Sequence, residues 1–336
     1  MPSNLIPSIE GFAKGAFATA AGLSTIGVGL LYYGQNYLIY PSAYPPGSRT
    51  EVPVPSDFGL PYEDLRLTTA DNVKIQCYLM VQKTDLGSQA TPVPGELDVS
   101  AEEFPATRPT IMMFHGNGGN MGHRIPLAKV FYIKMRCNVM MVSYRGYGRS
   151  EGSPSEKGIQ QDAQTALNYL TSHPVLSRTP VILYGQSIGG AVSIDLASRN
   201  LETVKALILE NTFLSIPRLI PQALPILSPF SFLCHQKWES FTKLPQIPPS
   251  TPILMLSGKQ DEVVPPDHME ALWKIAEKRG QQPTEEVKTE EVRDDRERGS
   301  GRSRFVLFEK GHHNDTCVQQ GYWTAVSEFV ASLGES

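Results

Sequence analysis

The chain has 336 residues, 40% of them hydrophobic and 19% charged, with a formal net charge of -4. That length buries a sizeable core, as one large α/β domain or two small ones, and the composition is that of a globular enzyme rather than a disordered or fibrous chain. A mildly acidic balance without a basic cluster argues against nucleic acid as a partner, and four widely spaced cysteines (Cys77, Cys137, Cys234, Cys317) exclude a zinc knuckle or a Cys-x-x-Cys pair.

No charged residue occurs between Gly15 and Ser48. After an N-terminal tail (1–14), the stretch 15–33 is apolar and long enough to cross a bilayer as a helix, which needs about 20 residues. It reads as a single-pass anchor, with Tyr32, Tyr33 and Tyr37 as an interfacial belt. A cleaved signal peptide and a buried helix are the competing readings. The first fits less well, because Ala18-Thr19-Ala20 would place the cleavage site before most of the apolar stretch. Lys14 and Arg49 flank the span on either side, so charge leaves its orientation open.

Residues 34–61 carry Pro41, Pro45, Pro46, Pro53, Pro55 and Pro61 and read as an extended linker lifting the next domain from the membrane. A domain over 62–335 follows. It opens with strands at 63–69 and 73–82 joined by the turn Ala70-Asp71-Asn72. Residues 83–108 have the composition of a surface excursion. A strand at 110–114 runs into His115-Gly116-Asn117-Gly118-Gly119-Asn120, with a helix expected to Met135. Strand 138–144 ends in Arg145-Gly146-Tyr147-Gly148, and helix 158–170 follows. Further on come strands at 181–186, 204–209, 252–257 and 305–308, with helices at 188–199, 267–278 and 321–333. The segment 211–249 is apolar and proline-spaced, the composition of a small cap. Residues 280–304 are densely charged and read as a disordered loop. Alternation of strands and helices from residue 110 predicts a mostly parallel, doubly wound α/β sheet with 63–82 as an edge hairpin.

Gly185-Gln186-Ser187-Ile188-Gly189 lies where the strand 181–186 meets the helix 188–199. This is the nucleophile-elbow pattern: a serine on a tight strand-to-helix turn, flanked by residues without a Cβ. The helix N-terminus points free N–H groups toward a developing oxyanion, which makes the backbone N–H of Ile188 one donor. The glycine loop after strand 110–114 supplies the other, assigned to Asn117. His115 reads as support for that loop, which matches no phosphate-binding pattern.

A serine nucleophile needs a base, and the base needs an acid. In a doubly wound sheet both belong at carboxyl ends of strands. Asp261 follows the strand 252–257 and is the preferred acid, with Glu210 the alternative. The loop after the last strand offers His312 and His313. Only one can reach the serine, and periodicity does not separate them. The remaining histidines show no metal-ligand spacing, and the chemistry needs no metal or organic cofactor. Asn314-Asp315-Thr316 fits the glycosylation pattern, but a glycan there would obstruct the base.

These stretches resemble the α/β-hydrolase superfamily, in particular the membrane-anchored ABHD-type serine hydrolases around alpha/beta-hydrolase domain protein thirteen and its bud-emergence relatives. The resemblance spans about residues 35–335 and rests on His115–Asn120, Tyr144–Gly148, Gly185–Ala191, Glu210–Pro217 and His313–Thr316. The α/β-hydrolase fold it implies is the doubly wound sheet already expected, with a small cap and an N-terminal membrane helix. In that family the histidine directly before Asn-Asp is the base, which implies His313. The expectation is a Ser187–Asp261–His313 serine hydrolase acting on an ester or thioester, of a lipid or an S-acylated protein. Residues 15–33 would hold it in an endomembrane such as the endoplasmic reticulum, or in the plasma membrane. A peptidase of related fold and a non-catalytic scaffold are the alternatives.

Overall fold

The computed structural model describes residues 9–84, 86, 99–280 and 297–334. Nine strands lie in one sheet among these residues: β1 (Glu63–Thr68), β2 (Lys74–Met80), β3 (Thr110–Phe114), β4 (Asn138–Val142), β5 (Val181–Gln186), β6 (Val204–Glu210), β7 (Ile253–Gly258), β8 (Glu297–Ser300) and β9 (Ser303–Phe308). Their order is β1-β2-β4-β3-β5-β6-β7-β9-β8. From β4 to β9 the pairing is parallel, and the antiparallel neighbours are confined to the two edges. Valine, isoleucine, leucine and methionine dominate the central strands because both sheet faces are covered. Along β3, Met112 and Phe114 enter one core layer while Ile111 and Met113 enter the other, the two-residue alternation of a strand.

The helices are α1 (Ile9–Ile39), α2 (Ile125–Lys129), α3 (Glu156–Ser172), α4 (Ile188–Arg199), α5 (Ile216–Ala223), α6 (Ser240–Lys243), α7 (Pro266–Glu277) and α8 (Tyr322–Ser332). On one face α3, α4 and α7 contribute Ile159, Val192 and Leu272 to the core. The opposite face takes Ile125 of α2 and Tyr322 and Phe329 of α8. The helix expected up to Met135 is broken up: a tight turn at Met121–Arg124 precedes α2, and a widened π turn follows at Val130–Lys134. Over 211–249 the cap consists of α5, a 3-10 segment at Pro225–Leu233, and α6.

Three expectations need correction. The apolar helix does not stop at residue 33; Ala16–Ile39 qualifies by length and composition to cross a membrane. It carries on because nothing before Pro41 breaks a helix. The proline-rich stretch does not lift the domain away but packs on it. Tyr40, Val52 and Leu60 are buried, and the Asn120 amide donates to the carbonyls of Ser48 and Glu51 at 3.0 and 3.1 Å. Finally, 297–304 is not loop but the β8–β9 hairpin, which closes the sheet edge. The rest of that charged segment, 281–296, lies outside the described residues. So does half of the 83–108 excursion (85 and 87–98), whose far end buries Phe104 and Pro105 in a 3-10 turn. All four cysteines are buried and free.

Candidate active site

The carboxyl ends of β3, β5, β6, β7 and β9 converge, and each delivers a residue to one place. At the end of β5, Ser187 has φ 55° and ψ -120°, a backbone conformation that costs a non-glycine residue about 1–3 kcal/mol. The glycines around it are a steric requirement. A Cβ on Gly185 would lie 2.1 Å from the Gly189 carbonyl oxygen, and one on Gly189 would lie 2.2 Å from that of Phe114. Strand and helix thus meet at backbone contact. The turn is held by Ser187 N–H donating to Glu210 O at 2.9 Å and by Thr212 Oγ1 donating to Ser187 O at 2.7 Å.

Asp261 follows β7 in a turn and is buried. Its Oδ1 accepts from the backbone N–H groups of Val263 and Val264 at 2.9 and 2.7 Å. That leaves Oδ2 for His313, whose Nδ1 lies 2.8 Å away. With Nδ1 so engaged, Nε2 is the ring nitrogen free to face the serine. Among the described residues, neither Ser187 Oγ nor His313 Nε2 makes a hydrogen bond to a protein group. The two are linked through the backbone instead: the side-chain amide of Gln186 donates to His313 O at 2.9 Å.

His312 and Glu210 are placed elsewhere. His312 is exposed, its Nδ1 3.3 Å from the exposed Glu262 carboxylate. Glu210 is fully buried, and its Oε2 accepts from the hydroxyls of Tyr184 and Tyr322, both at 2.6 Å. Those tyrosines belong to the core layer beneath the sheet, and the carboxyl spends its hydrogen bonds there rather than on His313. Burial raises its pKa above the ordinary glutamate value. Of the glycosylation pattern, Thr316 is buried and its hydroxyl donates to His312 O at 2.7 Å.

The glycine loop after β3 is supported from two sides. His115 is buried, with Nδ1 2.7 Å from Gly116 O and a pKa pushed down to about 4 by desolvation. It therefore stays neutral and holds the loop. Tyr144 donates its hydroxyl to His115 O at 2.8 Å, and Tyr147 donates to Asn117 Oδ1 at 2.6 Å. Below them Arg145 joins Asp162 and Asp71 at 2.9 and 2.6 Å, fixing the tyrosine turn. The Asn117 amide donates to the carbonyl of Ile39, the last residue of α1.

Two positioning residues had no role assigned from the sequence. Asn211 has φ 45°, donates to the carbonyls of His312 and His313 at 3.3 and 3.2 Å and to Thr316 Oγ1 at 3.0 Å, and accepts from Gly258 N–H at 2.8 Å. One amide thereby ties β6, β7 and the histidine loop together. Its membership of the matched Glu210–Pro217 stretch was the available signal. Gln35 was the other omission. It is buried, donates to Leu233 O at 3.3 Å and accepts from His235 and Gln236 N–H at 2.8 and 3.2 Å. A polar residue in an apolar helix marks a specific partner, and that was the clue to it.

Comparisons with known proteins bear on the family and the fold. A family model described as serine aminopeptidase, S33, matches residues 105–248. Protein bem46 of Schizosaccharomyces pombe is 40% identical over 335 residues, covering 98% of this chain and 97% of the relative. An uncharacterized membrane protein of Saccharomyces cerevisiae, YNL320W, is 36% identical, covering 93% of this chain and 94% of its own. WAV2 of Arabidopsis thaliana, an alpha/beta hydrolase domain-containing protein, is 33% identical, with 95% and 94% covered. Among solved structures, an alpha-beta hydrolase from Vibrio vulnificus superposes with a TM-score of 0.60 at 18% identity, covering 84% of this chain and 89% of that one. The Pyrococcus furiosus esterase Pf2001 gives 0.57 at 15%, with 83% and 92% covered. At these identities the two structures share the fold alone with this chain.

Proposed function

The chain belongs to the ABHD-type α/β-hydrolases, with protein bem46 among its relatives, and from that membership we propose that it is a membrane-anchored serine hydrolase cleaving an ester or thioester through an acyl-enzyme. The observation that carries the reading is the Asp261–His313 pair beside a serine held at strained dihedrals. Ser187 Oγ attacks the acyl carbon while His313 Nε2 takes its proton, and Asp261 holds the Nδ1–H tautomer. The N–H groups of Ile188 and Asn117 receive the negative charge on the carbonyl oxygen. His313 then returns the proton to the departing alcohol or thiol. A water, deprotonated by the same imidazole, attacks the acyl-serine, and Ser187 recovers its proton as the carboxylic acid leaves. The anchor is α1, whose Ala16–Ile39 stretch has the length and composition of a span.

Peptide hydrolysis is the weaker reading. An aminopeptidase needs a carboxylate to receive the substrate's free amine. Among the described residues, the cavity beside the glycine loop is lined by leucines, isoleucines, Ala223, Phe230, Gln35, Asn117 and Cys234, with no charged side chain.

Labelling with a fluorophosphonate probe tests the nucleophile. Wild type is expected to label and Ser187→Ala to stay unlabelled; equal labelling of both defeats the proposal. A panel of purified acyl esters, thioesters and peptides then ranks the leaving groups.

A further inference from the structure

A cavity of about 190 Å³ lies between the end of α1 and the cap. Leu31, Leu38 and Ile39 of α1 form one wall, and Leu219, Ile220 and Leu227 of the cap form another. Asn117, the residue of the glycine loop already bonded to Ile39, also lines it. Its walls are not two bodies merely lying close. Gln35 stitches α1 to the cap backbone from Leu233 to Gln236, the Tyr32 and His235 rings lie 5.0 Å apart, and Trp238 Nε1 donates to the Tyr40 hydroxyl at 2.9 Å.

Both elements that wall this cavity expose large apolar side chains. Leu38 of α1 and Leu224 of the cap line it and are also exposed, and so are Leu30 and Tyr33 on α1 and Ile226 and Phe232 on the cap, Ile226 by 90%. Large apolar side chains exposed on two adjoining elements mark contact with a membrane or a partner. Here one of the two elements has the composition of a span.

We propose that this cavity is the acyl-chain subsite of the enzyme, with the membrane helix itself as one wall, and that it takes one long acyl chain sideways from the bilayer. Two observations favour that occupant. Among the described residues the lining has no charge to meet a head group or peptide, and it includes Asn117 of the loop assigned to the oxyanion. A chain already in the bilayer would enter between Leu38 and the cap without crossing water, its ester carbonyl arriving beside Asn117. The exposed Ile226 and Phe232 would rest in the interface and hold the mouth at membrane depth. This proposal rests on Ser187 being the nucleophile.

The test uses full-length protein in phosphatidylcholine vesicles and a fluorophosphonate carrying a sixteen-carbon tail with a terminal diazirine. After labelling and irradiation, crosslinked peptides are mapped by mass spectrometry. Attachment at Ser187 with crosslinks in 31–39 and 216–233 is the expected result. Attachment at Ser187 with crosslinks only to other loops or to lipid overturns the subsite while sparing the nucleophile. Failure of even a short-tailed fluorophosphonate to attach at Ser187 defeats the nucleophile reading instead. As a second measurement, Leu38→Trp and Leu219→Trp, each filling the cavity from a different wall, are expected to lower the palmitoyl-to-butanoyl ratio of kcat/KM about tenfold. An unchanged ratio in both overturns the subsite.

Discussion

Asn211, at the end of β6, donates its side-chain amide to the backbone carbonyl of His313 at 3.2 Å, while its carbonyl oxygen accepts from Gly258 N–H at 2.8 Å. The loop bearing the proposed base is therefore positioned from the strand between the serine and the acid. Asn211→Asp keeps the acceptor and loses the donor. It is expected to lower kcat about tenfold, or ~1.4 kcal/mol of barrier, with little change in KM. Thermal melting checks that the loss is not unfolding, since the acceptor for Gly258 is retained.

The two adjacent histidines are expected to behave very differently. His313→Ala removes the ring bonded to Asp261 and should cost at least about 10³-fold in kcat/KM. His312→Ala removes an exposed ring facing Glu262, and activity should stay within about threefold. Ester hydrolysis by the two variants, side by side, decides the assignment. Loss only in His312→Ala would reverse it.

Glu210 predicts a pH-dependent stability. Burial raises its carboxyl pKa above the ordinary value, so the folded chain retains a proton that the unfolded chain releases. That stabilisation is complete below about pH 4, under the ordinary glutamate pKa, and is lost as pH rises through the elevated one. Glu210→Gln cannot ionise. The melting temperature of the variant relative to wild type is therefore expected to climb as pH rises above about 4. Activity at fixed temperature should persist, because this carboxyl faces Tyr184 and Tyr322 rather than His313.

Membrane attachment through α1 is checked by alkaline carbonate extraction. The full-length chain is expected in the pellet; release into the supernatant would mean that the helix lies on the protein or the surface without spanning.

Much of this molecule was legible in the residues because its signals are local. Strand ends, glycine spacing and the order Ser187, Asp261, His313 are carried by short stretches whose periodicity and turn chemistry survive without tertiary context. The choice between His312 and His313 was not legible that way. The Asn211 amide holds both carbonyls, and the two positions differ in contacts from distant strands: Gln186 and Asp261 reach His313 alone. Residues 40–61 misled for a related reason. Proline density signals an extended backbone equally well whether that backbone crosses solvent or lies on a domain, and the burial of Tyr40, Val52 and Leu60 comes from partners far along the chain. The charged run before β9 concealed a strand because edge strands tolerate charge.

The bond from the Asn117 amide to the carbonyl of Ile39 gives α1 a status unlike that of a sorting signal. A targeting segment is interchangeable: any apolar helix of similar length delivers its cargo to the same bilayer. Here the last turn of the helix satisfies a side chain of the glycine loop, and Gln35 satisfies the backbone of the cap. A chimera carrying a foreign span would lose Gln35 and leave the His235 and Gln236 N–H groups of the cap unpaired. With α1 as the proposed anchor, where the protein resides and how well its loop is formed are written in the same residues, and selection on one acts on the other.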